Sequence, residues 1–323
     1  MTLHLEDKWV WDFWFANDGD DTHIFYLQAP RSLGNPDLRH WHSSIGHAVS
    51  QDLVHWELLP DALHPSDDDH SWDSLTTWTG STFHHDQGWA MFYTGTSIVE
   101  IGKIQRIGLA TSDDLLHWKK YAHNPIMKID PHRYELLDEN IWYEQAWRDP
   151  WVFESGGRFH AFITARVNEG HPKSRGVIGY ACSDDLRDWD VKAPITQPGA
   201  FAYLEVPQLV EINQRWYLLF CVESDKYSEQ RCARKGVGGS TGTHYMMAED
   251  PFGPFIQPEK DLLFGDEAGS TYSGKLVQNK DGKWMFMAAI QYDLFGEYVG
   301  DISDPMPLKV KEDGQLEVLD GSK

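Results

Sequence analysis

The stretch SQDLVHWELL at residues 50–59 returns as TSDDLLHWKK at 111–120 and as CSDDLRDWDV at 182–191, with looser versions in AEDPFGPFIQ (248–257) and SDPMPLKV (303–310). Five copies in one chain restrict the possible folds more than any other feature of this sequence. Short runs rich in aromatic and β-branched residues precede each copy, broken by Gly, Asp and Asn. One of these runs reads HIFYLQAP, WAMFYTGTS, FHAFITARV, WYLLFCVES and WMFMAAIQY in the five units, and the next reads SIGHAVS, RIGLATS, VIGYACS, THYMMAE and YVGDIS. A period of roughly 50 to 70 residues with about four strands marks a propeller blade, because such a unit cannot bury both faces alone and neighbours complete its core. The expected fold is all-β: a single five-bladed β-propeller over residues 1–323, with a central channel that holds the active site. No stretch shows helical i, i+3, i+4 apolar spacing, and no linker divides the chain.

The repeated Asp-Asp-Leu-x-x-Trp is expected to be scaffold. Its acidic residues, Asp113, Asp114, Asp184 and Asp185 among them, suit side-chain bonds to backbone N–H groups at a turn, while Leu and Trp pack between blades. Function should instead sit where the blades differ. The first strands of a propeller line its channel, and here they begin near WDFWFA, TWTGSTF, WRDPWVF, LEVPQLV and TYSGKLV. Their inner positions hold Asp12, Thr79, Asp149, Glu205 and Ser273, so three carboxylates from three blades meet at one channel mouth.

Asp12 lies in WVWDFWFAND, among Trp9, Trp11, Phe13, Trp14 and Phe15. Desolvating an unpaired carboxylate costs several kcal/mol on an order-of-magnitude scale, so such a group is retained with partners or with a task. A half-sheltered acid beside aromatic surface suits a pocket for a sugar ring. Cleaving a glycosidic bond needs one carboxyl group to protonate the leaving oxygen and another to attack or to activate water. A third carboxylate beside an arginine, as Asp149 is beside Arg148 in WRDP, can strengthen its bonds to substrate hydroxyls as charge develops on the ring. With Arg148 adjacent, Asp149 is expected to stay ionised while a sheltered Glu205 is driven towards its neutral form.

The 28 basic and 50 acidic residues give a formal net charge of -22, which repels nucleic acid and anionic membranes and leaves neutral ligands such as sugars open. Cys182, Cys221 and Cys232 have no metal-like spacing and an odd number, which suits a reducing compartment. MTLHLEDKWVWDF has no signal-peptide pattern and no long apolar run follows, so a cytoplasmic location is expected. No metal or cofactor is expected: NDGDD (17–21) lacks a calcium loop's ligand pattern, FHHD and RHWH lack HExxH spacing, and KGVGGSTG (235–242) misses the dinucleotide-binding spacing.

WRDP, IGHAVSQDLVHWELLPDAL (45–63), TWTGS and YLEVPQLV resemble the blade motifs of the invertase and levansucrase families, the furanosidase superfamily of five-bladed propellers, over essentially the whole chain. The resemblance implies hydrolysis of β-D-fructofuranosides such as sucrose or fructans by a retaining double displacement, with fructosyl transfer as a variant. It also implies the roles: Asp12 as nucleophile, Asp149 as transition-state stabiliser and Glu205 as acid/base. Trp14, Gln28, Trp78, Arg148 and Tyr272 are expected beside the sugar, whereas His47 in IGHAVS reads as structural. Invertases usually carry Asn-Asp-Pro-Asn where this chain has Trp-Asp-Phe-Trp, and the Val-Trp-Asp-x-Trp order is closer to levansucrases. Invertases also commonly add a C-terminal β-sandwich, which is not expected here. Two other readings stay open: an arabinofuranosidase or xylosidase of the related inverting propellers, and a carbohydrate-binding propeller without turnover.

Overall fold

The computed structural model describes residues 3–233 and 239–319; residues 235–238 of KGVGGSTG lie outside the described residues. Five antiparallel sheets follow one another along the chain, one for each repeat. The first comprises Lys8–Asp18, Asp21–Pro30, Ser44–Ser50 and Glu57–Leu58. The second comprises Thr76–His85, Gly88–Thr96, Arg106–Ser112 and Lys119–Lys120, and the third Trp147–Ser155, Arg158–Arg166, Gly176–Ser183 and Trp189–Lys192. Glu205–Ile212, Arg215–Val222, Thr241–Ala248 and Leu262–Asp266 form the fourth. In the fifth, Thr271–Gln278 and Trp284–Tyr292 are joined by Tyr298–Ile302, Met306–Val310 and Leu316–Val318.

The apolar runs read from the sequence become the second strands, and they are buried on both faces because a blade has a neighbour on each side. Each pair of neighbouring blades builds its own core. Trp14 and Phe25 meet Met91 and Tyr93 between blades 1 and 2, Phe92 meets Ile163 between blades 2 and 3, Phe162 meets Phe220 between blades 3 and 4, and Leu219 meets Phe286 between blades 4 and 5. Val10 and Phe13 pack with Met287 and Ile302 to close the ring. Across that seam, Leu3 and Ile302 exchange two backbone hydrogen bonds of 3.0 and 3.1 Å. Among the described residues no helix is long and apolar enough to cross a membrane.

The repeated motif is a turn. Asp52 Oδ1 accepts from the backbone N–H groups of Val54 and His55, and Asp114 and Asp185 do the same in their blades. This cap holds Leu53, Leu115 and Leu186 at φ between 63° and 66°, a left-handed conformation that a branched side chain adopts only when its surroundings impose it. Each leucine is buried, and Trp118 and Trp189 pack edge-on against Phe25 and Phe92 of the preceding blade. The motif's carboxylates are therefore committed to the scaffold.

All five first strands share one irregularity. Their pairing register breaks between Trp11 and Phe13, between Trp78 and Gly80, at Asp149 and Pro150, between Glu205 and Gln208, and between Tyr272 and Lys275. A bulge re-aims the side chain at the extra residue. Asp149, Val206 and Ser273 sit at φ of 57°, 46° and 50°, so three of the five bulges hold a strained residue where the strands converge.

Candidate active site

The bulges open onto a cavity of about 590 Å³ whose wall includes Asp12, Thr79, Asp149, Glu205 and Val206. Asp12 is anchored by both oxygens: Thr79 of blade 2 donates its hydroxyl to Oδ2 at 2.8 Å, and Ser273 of blade 5 donates to Oδ1. Asp149 is almost entirely buried. Its Oδ2 accepts from the Thr164 hydroxyl at 2.9 Å and from the Val206 N–H at 3.2 Å, while its own N–H donates to Thr94 Oγ1 at 2.9 Å. Glu205 accepts from Arg148 on Oε1 and from the Tyr272 hydroxyl on Oε2.

Arg148 ties the acids together. Its guanidinium donates to Glu205, to Glu144 at 2.9 Å and to Gln105 at 2.9 Å, lies 3.5 Å from Asp149 Oδ2, and stacks 4.6 Å from the Tyr203 ring centroid. The expectation that Arg148 keeps Asp149 ionised is corrected at this point. Burial pushes Asp149 up to about 7, the charges of Asp12 and Glu205 add to the rise, and Arg148 opposes it without cancelling it. The guanidinium is shared among three carboxylates, so Asp149 receives only part of its field.

Trp78, Arg148 and Tyr272 line the cavity as the sequence suggested; the Trp78 indole N–H is fixed by the His40 carbonyl at 2.8 Å. Trp14 and Gln28 do not. Trp14 is 0% exposed, stacks on Phe25 and donates to Thr82 Oγ1 at 2.9 Å within the core between blades 1 and 2. Regular alternation would give Asp12 and Trp14 the same face, but the bulge at Asp12 shifts the phase, and Trp11 reaches the cavity instead. Gln28 is buried against Lys8 and Ser44 at 3.1 and 3.3 Å, and its neighbour Leu27 faces the cavity. His47 lies in the core, 2.9 Å from His23 and stacked on Phe25.

Residues 15–295 match the family model described as glycosyl hydrolases family 32 N-terminal domain. The chain belongs to glycosyl hydrolase family 32. Among curated relatives of this family-32 chain, a sucrose-6-phosphate hydrolase of Zymomonas mobilis is 25% identical over 82% of this chain and 49% of its own length. A levanase of Bacillus subtilis is 27% identical over 71% of this chain and 32% of its own length. The chain thus spans about half the length, or less, of these curated relatives. Among solved structures, an inulosucrase from Halalkalicoccus jeotgali bound to kestose superposes with a TM-score of 0.79 at 22% identity, covering 97% of this chain and 87% of that one. A sucrose-6-phosphate hydrolase from Lactobacillus gasseri gives 0.75 at 22% identity over 98% and 62%. At these identities the structural likeness is one of fold.

The family-32 cavity has walls that the sequence motifs did not reveal. Arg39, His40 and Trp41 arrive on a short 3-10 helix, Pro36–Trp41, inserted between the second and third strands of blade 1. Burial, reinforced by the charges of Arg39 and Arg148, pushes His40 down to about 3, so it meets a ligand as neutral imidazole. Tyr143 and Glu144 come from the loop before blade 3, and Glu223 from the end of the second strand of blade 4.

Proposed function

We propose that this chain is a retaining β-fructofuranosidase that cleaves uncharged fructosides such as sucrose or fructans, with the described ring as its catalytic unit. The observation that carries this reading is that Asp12, Asp149 and Glu205, each at a first-strand bulge of a different blade, line one cavity in a family-32 propeller. Glu205 passes a proton to the glycosidic oxygen while the C–O bond to the fructosyl carbon breaks. Asp12 forms the ester bond to that carbon. Water, deprotonated by Glu205, then displaces Asp12 and releases fructose with its configuration retained. Asp149, too buried to reach bulk water, accepts bonds from fructosyl hydroxyls that tighten as positive charge builds on the ring.

The cavity's charge supports an uncharged substrate. Its lining includes Asp12, Asp37, Glu144, Asp149, Glu205 and Glu223 against Arg39, Lys103 and Arg148. Each of these cations is engaged: Arg148 as described, Lys103 with Glu139 at 2.6 Å, and Arg39 with the Pro36 carbonyl at 3.0 Å and over the Tyr298 ring at 4.2 Å. A phosphate entering such a site meets like charge, at a cost of several kcal/mol. The free thiols of Cys182, Cys221 and Cys232 support a reducing, cytoplasmic location.

Incubation with sucrose, sucrose 6-phosphate, levan, inulin and arabinan, with products resolved by chromatography, tests the reading. Fructose release is expected, with kcat/KM for sucrose at least about tenfold above that for its 6-phosphate. Longer fructosyl oligomers would add transfer to hydrolysis. Arabinose release without fructose would overturn the proposal. The role of Glu205 has its own test. Glu205→Gln should depress turnover of sucrose about 10²-fold more than turnover of an aryl fructoside with an acidic leaving group, since only the basic leaving oxygen needs protonation. Equal losses on both would remove Glu205 from the acid role.

A further inference from the structure

Beneath the cavity floor lies an amine that the proposed chemistry does not use. Lys275, in the first strand of blade 5, is 2% exposed and is not among the residues lining the cavity. Its Nζ donates to the Val206 carbonyl of blade 4 and lies 3.4 Å from the Pro207 carbonyl. Beside it, the Gln208 side chain donates to the Leu276 carbonyl at 2.8 Å and accepts from the Leu276 N–H at 2.7 Å. Blades 4 and 5 are therefore latched together directly below the site.

The peptide groups flanking Val206 have unusual duties. Val206 directly follows Glu205, its N–H binds Asp149 Oδ2 at 3.2 Å, its carbonyl binds Lys275, and its φ is 46°. A β-branched residue is strongly disfavoured in that region and persists only when surrounding groups hold it there. The Lys275 ammonium is such a group. It also faces acids from three other blades: Asp12 of blade 1, Asp149 of blade 3 and the thiol of Cys221 in blade 4. Burial pushes Lys275 down to about 8, and the two aspartates pull it back up. The same burial drives the Cys221 thiol up to about 12, so it is neutral where Lys275 is charged.

We propose that Lys275 is a positioning residue for the reaction: its ammonium holds the Val206 bulge, and through it the Glu205 carboxyl and the N–H that binds Asp149, in register for catalysis. Its positive charge also favours the ionised form of Asp149. This rests on the fructosidase reading for its kinetic part alone.

The test compares the wild type with Lys275→Met and Lys275→Arg. Titration of Asp149 is followed by its infrared carboxyl band, assigned by the loss of that band in Asp149→Asn. Removing the ammonium should raise the Asp149 midpoint, whereas arginine should leave it near the wild-type value. On the fructoside cleaved best, Lys275→Met should lose about 10²-fold in kcat with little change in KM, and arginine should recover part of the loss. If Lys275→Met does not fold, Lys275→Gln, which keeps donors but no charge, takes its place. A folded variant with an unmoved Asp149 midpoint, or with unchanged kcat, overturns the assignment. Failure of the wild type to cleave any fructoside overturns the proposed function instead, and the infrared titration still decides the role of Lys275.

Discussion

Asp12→Asn is expected to remove turnover almost completely, by about 10⁴-fold or more in kcat on the fructoside cleaved best, while the protein stays folded. The expectation follows from the carboxylate's setting. Thr79 and Ser273 fix both oxygens at the mouth of the cavity, so the attacking atom is aimed before substrate arrives and no side-chain entropy is spent on aiming it. An asparagine fits the same space without a nucleophilic oxygen. Asp12→Ala supplies the complementary measurement: azide, entering the vacated position, should restore cleavage of an activated fructoside and give a fructosyl azide of inverted configuration. Nuclear magnetic resonance of the product reads that configuration. Undiminished turnover by Asp12→Asn would take Asp12 out of the reaction, and with it the double displacement.

Asp149→Asn should separate catalysis from stability. Asp149 is preorganised by Thr164, the Val206 N–H and Arg148, so its loss is expected to cost about 10²–10³-fold in kcat with a far smaller change in KM. Its effect on folding has the opposite sign. Burial raises the folded-state carboxyl from the ordinary carboxylate range to about 7, so the folded chain holds the proton more tightly than the unfolded chain does. The stability tied to that proton is fully present below about pH 4 and is lost as pH rises to about 7. An asparagine never ionises. Calorimetry should therefore find the variant close to wild type near pH 4, and at pH 8 higher in Tm by roughly 2–4 °C, allowing for the weaker bonds that a neutral amide oxygen accepts from Val206 and Thr164. A variant less stable than wild type at pH 8 would mean that the pairing with Arg148 outweighs the cost of burial.

The ring was legible because its signal is redundant: each blade carries similar strand runs, the first three share the Asp-Leu turn, and an irregularity in one copy is outvoted by the others. The acids were legible for the opposite reason, since Asp12, Asp149 and Glu205 break the repeat at its inner positions. What stayed hidden were departures from period two. The assignment of Trp14 to the cavity assumed unbroken alternation, and one extra residue at Asp12 exchanged it for Trp11. Gln28 was misplaced for a related reason, because a polar residue in a strand does not announce which face is wet. Arg39, His40 and Trp41 sit in RHWH, a stretch noticed for its histidines, on an inserted 3-10 helix that belongs to no repeat. The ionisation of Asp149 was misread because sequence adjacency showed Arg148 beside it but not how deeply Asp149 is buried, nor that Glu144 and Glu205 share the guanidinium.

The anchoring of Asp12 gives the ring's closure a chemical dependence. Its two hydrogen bonds run to opposite neighbours, Thr79 in blade 2 and Ser273 in blade 5, so this carboxylate spans the junction where the last blade meets the first. Among the described residues, the backbone clasp at that junction is the Leu3 and Ile302 pair. An ester formed through either oxygen turns a charged acceptor into a weak one, and so releases one of the two neighbours. In the proposed reaction, the propeller at the ester stage is thus fastened one stitch less tightly around its own circumference, and the water that hydrolyses the ester restores the stitch.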